Sequence, residues 1–304
     1  DLYGGQFDRL DGDIDPAQLT QALAKGARDL GAKIIRFCPV TAVEWLGDEW
    51  KITTPNGEIR AEYVVNAAGY RAGELGKMFG RDVPCVSLAH QYLITEPIAE
   101  LTARDEKLPL LRDPDSSYYL RQEKDGLLLG PYEKNCRAHW LSSDDPMPDD
   151  FSFQLYNDDL ERLEWYIEDA CARVPILGTA GITRVVNGPI PYTPDGLPLI
   201  GPMPGVPNAF EACVFTFGIV QAGGAGRLLA EIIIEGEAES DSWAVDPRRF
   251  TDHVDTAYTA AKAIETYSHE YAMHFPQIQW PAGRKSKYSP LYDRLAAAGA
   301  EFGS

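Results

Sequence analysis

The chain has 304 residues, 44% of them hydrophobic, and its 28 Lys and Arg against 46 Asp and Glu leave a net charge of −18. This is a globular composition, sized for one large domain or two ordinary ones, and its acidity repels nucleic-acid phosphates and anionic lipid headgroups. No stretch reaches the roughly 18 apolar residues of a membrane span, and five scattered cysteines and five histidines form no disulfide framework and no metal site, which suits a reducing, cytoplasmic compartment.

The opening Asp-Leu-Tyr-Gly-Gly carries no basic or apolar leader and reads as a cut edge. Asp15 suits a helix N-cap and Pro16 the first helical position. Leu19, Leu23, Ala27 and Leu30 then form an apolar stripe that Gly31 closes. Short strands are predicted at 33–37, 41–46 and 50–54, and Pro55-Asn56-Gly57 is a hairpin turn into a fourth at 58–65. From about Pro84 to Arg184, alternating segments at 91–95, 118–122 and 127–130 predict an antiparallel sheet, crossed by a helix over 160–174. A turn-rich stretch from Ile182 leads into a helix over 222–236 with Gly223, Gly224 and Gly226 at its start. A polar helix over 256–271 precedes a Pro/Gly/Lys-rich connector.

Three motifs carry chemistry. The apolar strand ending in Asn66-Ala67-Ala68-Gly69 lets backbone pass close to a dinucleotide, because no side chain blocks the approach; the same residues also suit a plain strand-to-helix turn. The run Phe217-Gly218-Ile219-Val220-Gln221 followed by Ala222-Gly223-Gly224 opens a helix. Its unpaired N–H groups and positive dipole end suit a partly negative flat ring, the alternative being close helix packing alone. No G-x-G-x-x-G fingerprint is present, so this run is not a pyrophosphate loop. His90 at the start of one strand and Tyr119 in another are a candidate proton-handling pair, against the plainer reading of a capped His and a core Tyr.

Together these segments resemble the dimethylglycine dehydrogenase family, with its relatives dimethylglycine oxidase and sarcosine dehydrogenase. The matching stretches include His90-Gln91-Tyr92, Leu111-Arg112-Asp113, 117–123, Gly130-Pro131-Tyr132-Glu133, 186–190 and Gly218-Ile219 before Ala222-Gly223-Gly224. The resemblance implies a mixed α/β (α+β) fold of the glucose/amino-acid-oxidase FAD-binding type with an antiparallel-sheet substrate domain, in which the first βαβ unit lies before Asp1. It divides the chain into the later part of the FAD-binding domain (1–83), the substrate domain (84–184), a return to the FAD-binding domain (185–246) and a helical connector (247–304) toward a one-carbon-transfer domain. FAD is then held by the backbone at Val40, by Ala67, Ala68 and Gly69, and by Phe217, Gly218, Ile219 and Val220. His90 and Tyr119 become the catalytic pair.

The implied reaction is oxidative N-demethylation of dimethylglycine to sarcosine by hydride transfer to flavin. The one-carbon unit is released as formaldehyde or passed to tetrahydrofolate in a downstream domain. Sarcosine or another N-methyl amino acid is the alternative substrate, and a non-catalytic scaffold with a degenerate flavin site is the alternative of another class. An electron-transfer flavoprotein is the implied partner, and the mitochondrial matrix the implied compartment in a eukaryote. Arg112 and Arg121 are candidates for the substrate carboxylate, with outward surface ion pairs the plainer expectation. Gln221 stands where some relatives carry His.

Overall fold

The computed structural model describes residues 2–142 and 144–302. The end residues of the predicted first and last domains, Asp1, Gly303 and Ser304, lie outside the described residues, as does Ser143. In chain order the elements are α1 (Pro16–Asp29), β1 (Ala42–Trp45), β2 (Trp50–Thr54), β3 (Gly57–Ala61), β4 (Val64–Asn66), α2 (Ala72–Met78), β5 (Val86–Thr95) and α3 (Ala99–Thr102). There follow β6 (Leu111–Asp113), β7 (Tyr118–Glu123), β8 (Gly126–Pro131), β9 (Ala138–His139), α4 (Glu164–Arg173), β10 (Ile182–Tyr192), β11 (Leu199–Pro202), β12 (Ala209–Cys213), α5 (Gly218–Glu235), α6 (Thr256–Ser268) and α7 (Tyr292–Ala297). The chain divides into two compact units: 1–34, 91–133 and 157–187 form the first, and 35–90, 134–156 and 188–304 the second.

The first unit is an antiparallel sheet with a helix across one face. Strand order is β10-β5-β8-β7-β6, of which this unit holds 91–95 of β5 and 182–187 of β10. In β7 and the 91–95 part of β5 the period-2 alternation is the pattern they bury, whereas β8 is buried throughout; Tyr118, Leu120 and Leu127, Leu129 join Leu93, Ile98, Ala170 and Leu177 in one core. The predicted helix over 160–174 is a single 3-10 turn at Leu160–Leu163 running into α4. In α1, Asp15 Oδ1 accepts the Gln18 backbone N–H at 2.8 Å and Pro16 takes the first turn, as the sequence predicts. Its apolar stripe, however, buries nothing: Leu23 is 51% and Leu30 91% exposed.

The second unit holds two small sheets. β1, β2 and β3 form an antiparallel meander around Trp50, whose indole N–H donates to the Pro207 carbonyl at 3.0 Å. Thr54 and Gly57 are ladder partners across the two-residue loop Pro55-Asn56, and Gly57 takes φ +123°, a conformation natural only to glycine. β12 pairs parallel with β4 and antiparallel with β11. Two expectations fail here. Residues 33–37 form no strand, since among the described residues they find no ladder partner and an unpaired strand leaves its backbone groups unsatisfied. The predicted strand over 58–65 is two, β3 and β4, each serving a different sheet.

A third expectation is corrected at α5. It begins at Gly218 rather than 222, so Gly223, Gly224 and Gly226 lie in the second and third turns of the helix instead of at its start. Each interior glycine costs about 1 kcal/mol of helix propensity. Burial of Ala225, Leu229 and Ile232, the first two packed with Ile200 of β11, overrides that cost. Gly236, at φ +85°, ends the helix by donating its N–H to the Ile232 carbonyl at 3.1 Å. Among the described residues no helix is long and apolar enough to cross a membrane.

Candidate active site

His90 sits on β5, where residues alternate between a buried face (Gln91, Leu93, Thr95) and a half-buried one (His90, Tyr92, Ile94). Its Nδ1 lies 2.9 Å from Tyr267 Oη, and the two rings meet edge to face with centroids 5.8 Å apart. Tyr267 comes from α6, which Asp255 caps by accepting the Tyr258 N–H at 2.7 Å. Thr259, Ala263 and Tyr267, spaced four apart, form the buried ridge of that helix. The Tyr267 ring is crossed in turn by Tyr192 at 5.7 Å, and the Tyr192 hydroxyl donates to Glu270 Oε2 at 2.6 Å. Burial pushes the Glu270 carboxyl up from its ordinary pKa, while the Tyr192 hydrogen bond and the charge of His274 pull it back. The sequence reading missed Tyr192, Tyr267 and Glu270. The i, i+4 spacing of Thr259, Ala263 and Tyr267 signals Tyr267 beforehand, and nothing comparable signals the other two.

Tyr119 belongs to the first unit, whereas His90 belongs to the second. On β7 it stands on the half-buried face, opposite Arg112 of β6 and Gly130 of β8. Its ring lies across Gly130: a Cβ placed there would sit 2.1 Å from Tyr119 Cζ and 2.3 Å from its Oη. The glycine is therefore the ring's seat, a role read from neither its neighbours nor its spacing. Gly130→Ala is expected to displace the ring and cost about 1–3 kcal/mol of stability, the usual range for overpacking. Chemical denaturation of Gly130→Ala with and without Tyr119→Ala checks this. If the second change recovers none of the loss, the clash is not its cause.

Neither candidate arginine is idle. Arg112 donates to Asp11 at 2.7 Å in an exposed pair, as the sequence suggests, whereas Arg121 donates to Glu123 at 2.5 Å in a pair that is half-buried. An exposed pair such as Arg112–Asp11 contributes little stability.

The remaining candidates lie in the second unit. Asn66 is fully buried at the end of β4, where its Nδ2 donates to the Ala72 carbonyl at 3.0 Å and its Oδ1 accepts the Ala68 N–H at 3.2 Å. These bonds hold the Ala67-Ala68-Gly69 turn, in which Gly69 takes φ +59° and a Cβ would meet nothing within 4 Å. Val40 is half-buried just ahead of β1. At the start of α5, the first intrahelical bond from this end is Gln221 N–H to the Phe217 carbonyl at 3.1 Å, and no side chain caps the N–H groups of Gly218, Ile219 and Val220. Gln221 Oε1 is buried with no hydrogen-bond donor, and Val220 is 79% exposed. A cavity of about 230 Å³ lies along the small-residue face made by Gly218, Ala222 and Gly226. Bare donors at a positive helix end, an orphaned acceptor beside them and open glycines suit the donor-and-acceptor edge of a flat heteroaromatic ring. A second cavity of about 720 Å³, walled by Tyr70, Trp140 and several carboxylates, includes none of the residues predicted from sequence.

Comparison with known proteins matches residues 1–232 to the family described as FAD dependent oxidoreductase, and 235–289 to the FAD dependent oxidoreductase central domain. The chain is 43% identical over 300 residues to mitochondrial dimethylglycine dehydrogenase of Mus musculus, covering 97% of this chain and 34% of that protein. It is 36% identical to mitochondrial sarcosine dehydrogenase of Homo sapiens, covering 99% and 33%. It thus spans about a third of the length of these relatives. Among solved structures, L-proline dehydrogenase from P. horikoshii superposes with a TM-score of 0.65 at 26% identity, covering 78% of this chain and 60% of that one. The expected mixed α/β amino-acid-oxidase-type fold is borne out, and the chain belongs to the FAD-dependent oxidoreductase family.

Proposed function

We propose that the protein to which this chain belongs is an FAD-dependent enzyme that oxidatively removes a methyl group from dimethylglycine, giving sarcosine. The relation to dimethylglycine dehydrogenase over nearly the whole chain carries this reading. The bare N–H groups of Gly218, Ile219 and Val220, with Gln221, hold the ring end of FAD, and the turn at Ala67, Ala68 and Gly69 with the Val40 backbone holds the remainder. When bound, FAD supplies the acceptor for a hydride leaving the N-methyl carbon.

The chain's own part is proton handling. A tertiary ammonium has no lone pair to stabilise the iminium that develops as hydride leaves, so the nitrogen must first lose its proton. His90, whose residue type titrates near neutrality, takes it. Its Nδ1 lies 2.9 Å from Tyr267 Oη, a contact that supports the orientation of the ring. Tyr119, steadied over Gly130, relays the proton away from the substrate amine. Water then adds to the iminium, releasing formaldehyde and the demethylated amine, unless tetrahydrofolate takes up the one-carbon unit. An electron-transfer flavoprotein is the proposed electron acceptor, and the mitochondrial matrix the proposed location in a eukaryote, after the mitochondrial relatives.

The test is anaerobic flavin bleaching in the intact FAD-loaded protein, mixed separately with dimethylglycine, sarcosine and longer N-methyl amino acids. Fastest bleaching by dimethylglycine is expected. Equal rates with all of them would remove the substrate assignment, and bleaching by none would remove the activity.

A further inference from the structure

The cavity of about 720 Å³ includes none of the residues given a part in amine oxidation, and all its walls belong to the second unit. Its size falls in the range of small-molecule sites. Five carboxylates line it, those of Glu74, Asp82, Asp149, Asp252 and Asp255, against one ammonium, that of Lys77. Glu74 pairs with Arg71, and Asp255 caps α6. The side chains of Asp82, Asp149 and Asp252 form no hydrogen bond or ion pair among the described residues, and they come from three separate segments of chain. Unpaired like charges around one cavity repel one another, and a bound cation relieves that repulsion.

Two further features give the cation a form. The carboxylates do not converge on a point: among the described residues, no three His, Cys, Asp or Glu side chains are placed to hold a metal ion. They suit instead a molecule whose own charges are spaced along a chain. The rings of Tyr70 and Trp140 also line the cavity, with centroids 6.3 Å apart and planes inclined at 42°. An aromatic face attracts an ammonium and packs against methylenes. Trp140 is held edge to face by Phe151 at 4.9 Å, and its backbone N–H donates to Asp145 Oδ2 at 3.0 Å. Ser87 lines the same cavity and is 4% exposed, yet its hydroxyl has no partner among the described residues. A buried hydroxyl in that state can accept an N–H from a ligand. We propose that this cavity binds a linear aliphatic polyamine. Its ammonium groups pair with Asp82, Asp149 and Asp252, its methylenes run over Tyr70 and Trp140, and Ser87 accepts one N–H. The proposal does not rest on the assignment of dimethylglycine.

The experiment is calorimetric titration of the intact FAD-loaded protein with spermidine, at about 150 mM salt to screen diffuse attraction. One saturable site is expected. Butylamine, with a single charge, and Mg²⁺, without methylenes, should each bind about tenfold more weakly or worse. Asp82→Asn, Asp149→Asn and Asp252→Asn combined should weaken spermidine about tenfold, a few-fold for each exposed ion pair lost. The same change of net charge made outside the cavity, by Asp48→Asn, Glu235→Gln and Glu237→Gln, should leave the affinity within about twofold. Trp140→Leu, which removes an aromatic face, should weaken binding about two- to fivefold. The proposal is overturned by the lack of a saturable site, by equal losses from the two triple variants, or by an unaffected Trp140→Leu protein. Butylamine or Mg²⁺ bound as tightly as spermidine overturns it too. The charge variants alter exposed side chains, so they decide the question should Trp140→Leu fold poorly.

Discussion

His90→Gln is expected to slow flavin reduction by dimethylglycine about 10²- to 10⁴-fold at pH 7, the range a positioned acid–base group contributes. Glutamine approximates the size of the imidazole and still offers a polar atom toward Tyr267, so the strand register and the buried pair of tyrosines should persist. What it lacks is a basic nitrogen. The expected signature is therefore a loss in the bleaching rate at saturating substrate, with KM changed by only a few-fold. The pH dependence supplies a second check. As pH rises, a growing share of the substrate amine arrives already deprotonated and needs no base, so the deficit should shrink. A deficit constant from pH 7 to 10, measured by stopped-flow bleaching, would show that His90 contributes something other than proton removal.

The second large effect lies beneath the cofactor-side turn. Glu211 of β12 is fully buried, its carboxylate oxygens lack a hydrogen-bond donor, and the cation beside it is Arg81, whose Nε is 3.5 Å from Oε1. Burial raises the Glu211 pKa, while Arg81 and, behind it, Arg249 draw it down. Arg81→Met removes the nearer cation and leaves a buried charge poorly compensated, at an expected cost of about 3–5 kcal/mol near neutral pH. The sign of the pH dependence follows from the raised pKa. Glu211 favours the folded state while protonated, at and below its unfolded value, and that contribution is lost as pH rises through the folded value. Without Arg81 the folded value rises further. The denaturant midpoint of Arg81→Met should therefore fall most at pH 8 and approach the unmodified midpoint as pH is lowered toward 5. Because Glu211 is the ladder partner of Asn66, which holds the Ala67-Ala68-Gly69 turn, FAD retention should decline along with stability. A loss independent of pH would place the defect in packing rather than charge.

Local chemistry was legible in the sequence wherever neighbours along the chain determine it. Asp15 and Pro16 start α1 as predicted, because an N-cap is satisfied within three residues. β2 has the predicted bounds, since alternation and a Pro-Asn-Gly turn suffice for a hairpin arm. The family too was legible, because many ordered matches along one chain are a linear property. The start of α5 was not. Counting glycines placed it four residues late, whereas burial of Ala225, Leu229 and Ile232 outweighs the cost of glycine inside a helix. Nor was the strand at 33–37, for a strand exists only with a partner beside it.

The division is sharpest at the candidate site. The residue types His90 and Tyr119, and the small-residue turns at Ala67–Gly69 and Gly218, stand in the sequence and suggest proton handling beside a flat cofactor. What holds each in place comes from far along the chain. Tyr267 reaches His90 from 177 residues away, and Glu211 comes to lie beside Arg81. Gly130 seats Tyr119 only because β7 and β8 pair in one register out of several that the alternation allows. Period and composition specify which face a side chain takes, but the partner across a ladder or a helix–strand contact is settled by burial and hydrogen bonding summed over the folded unit.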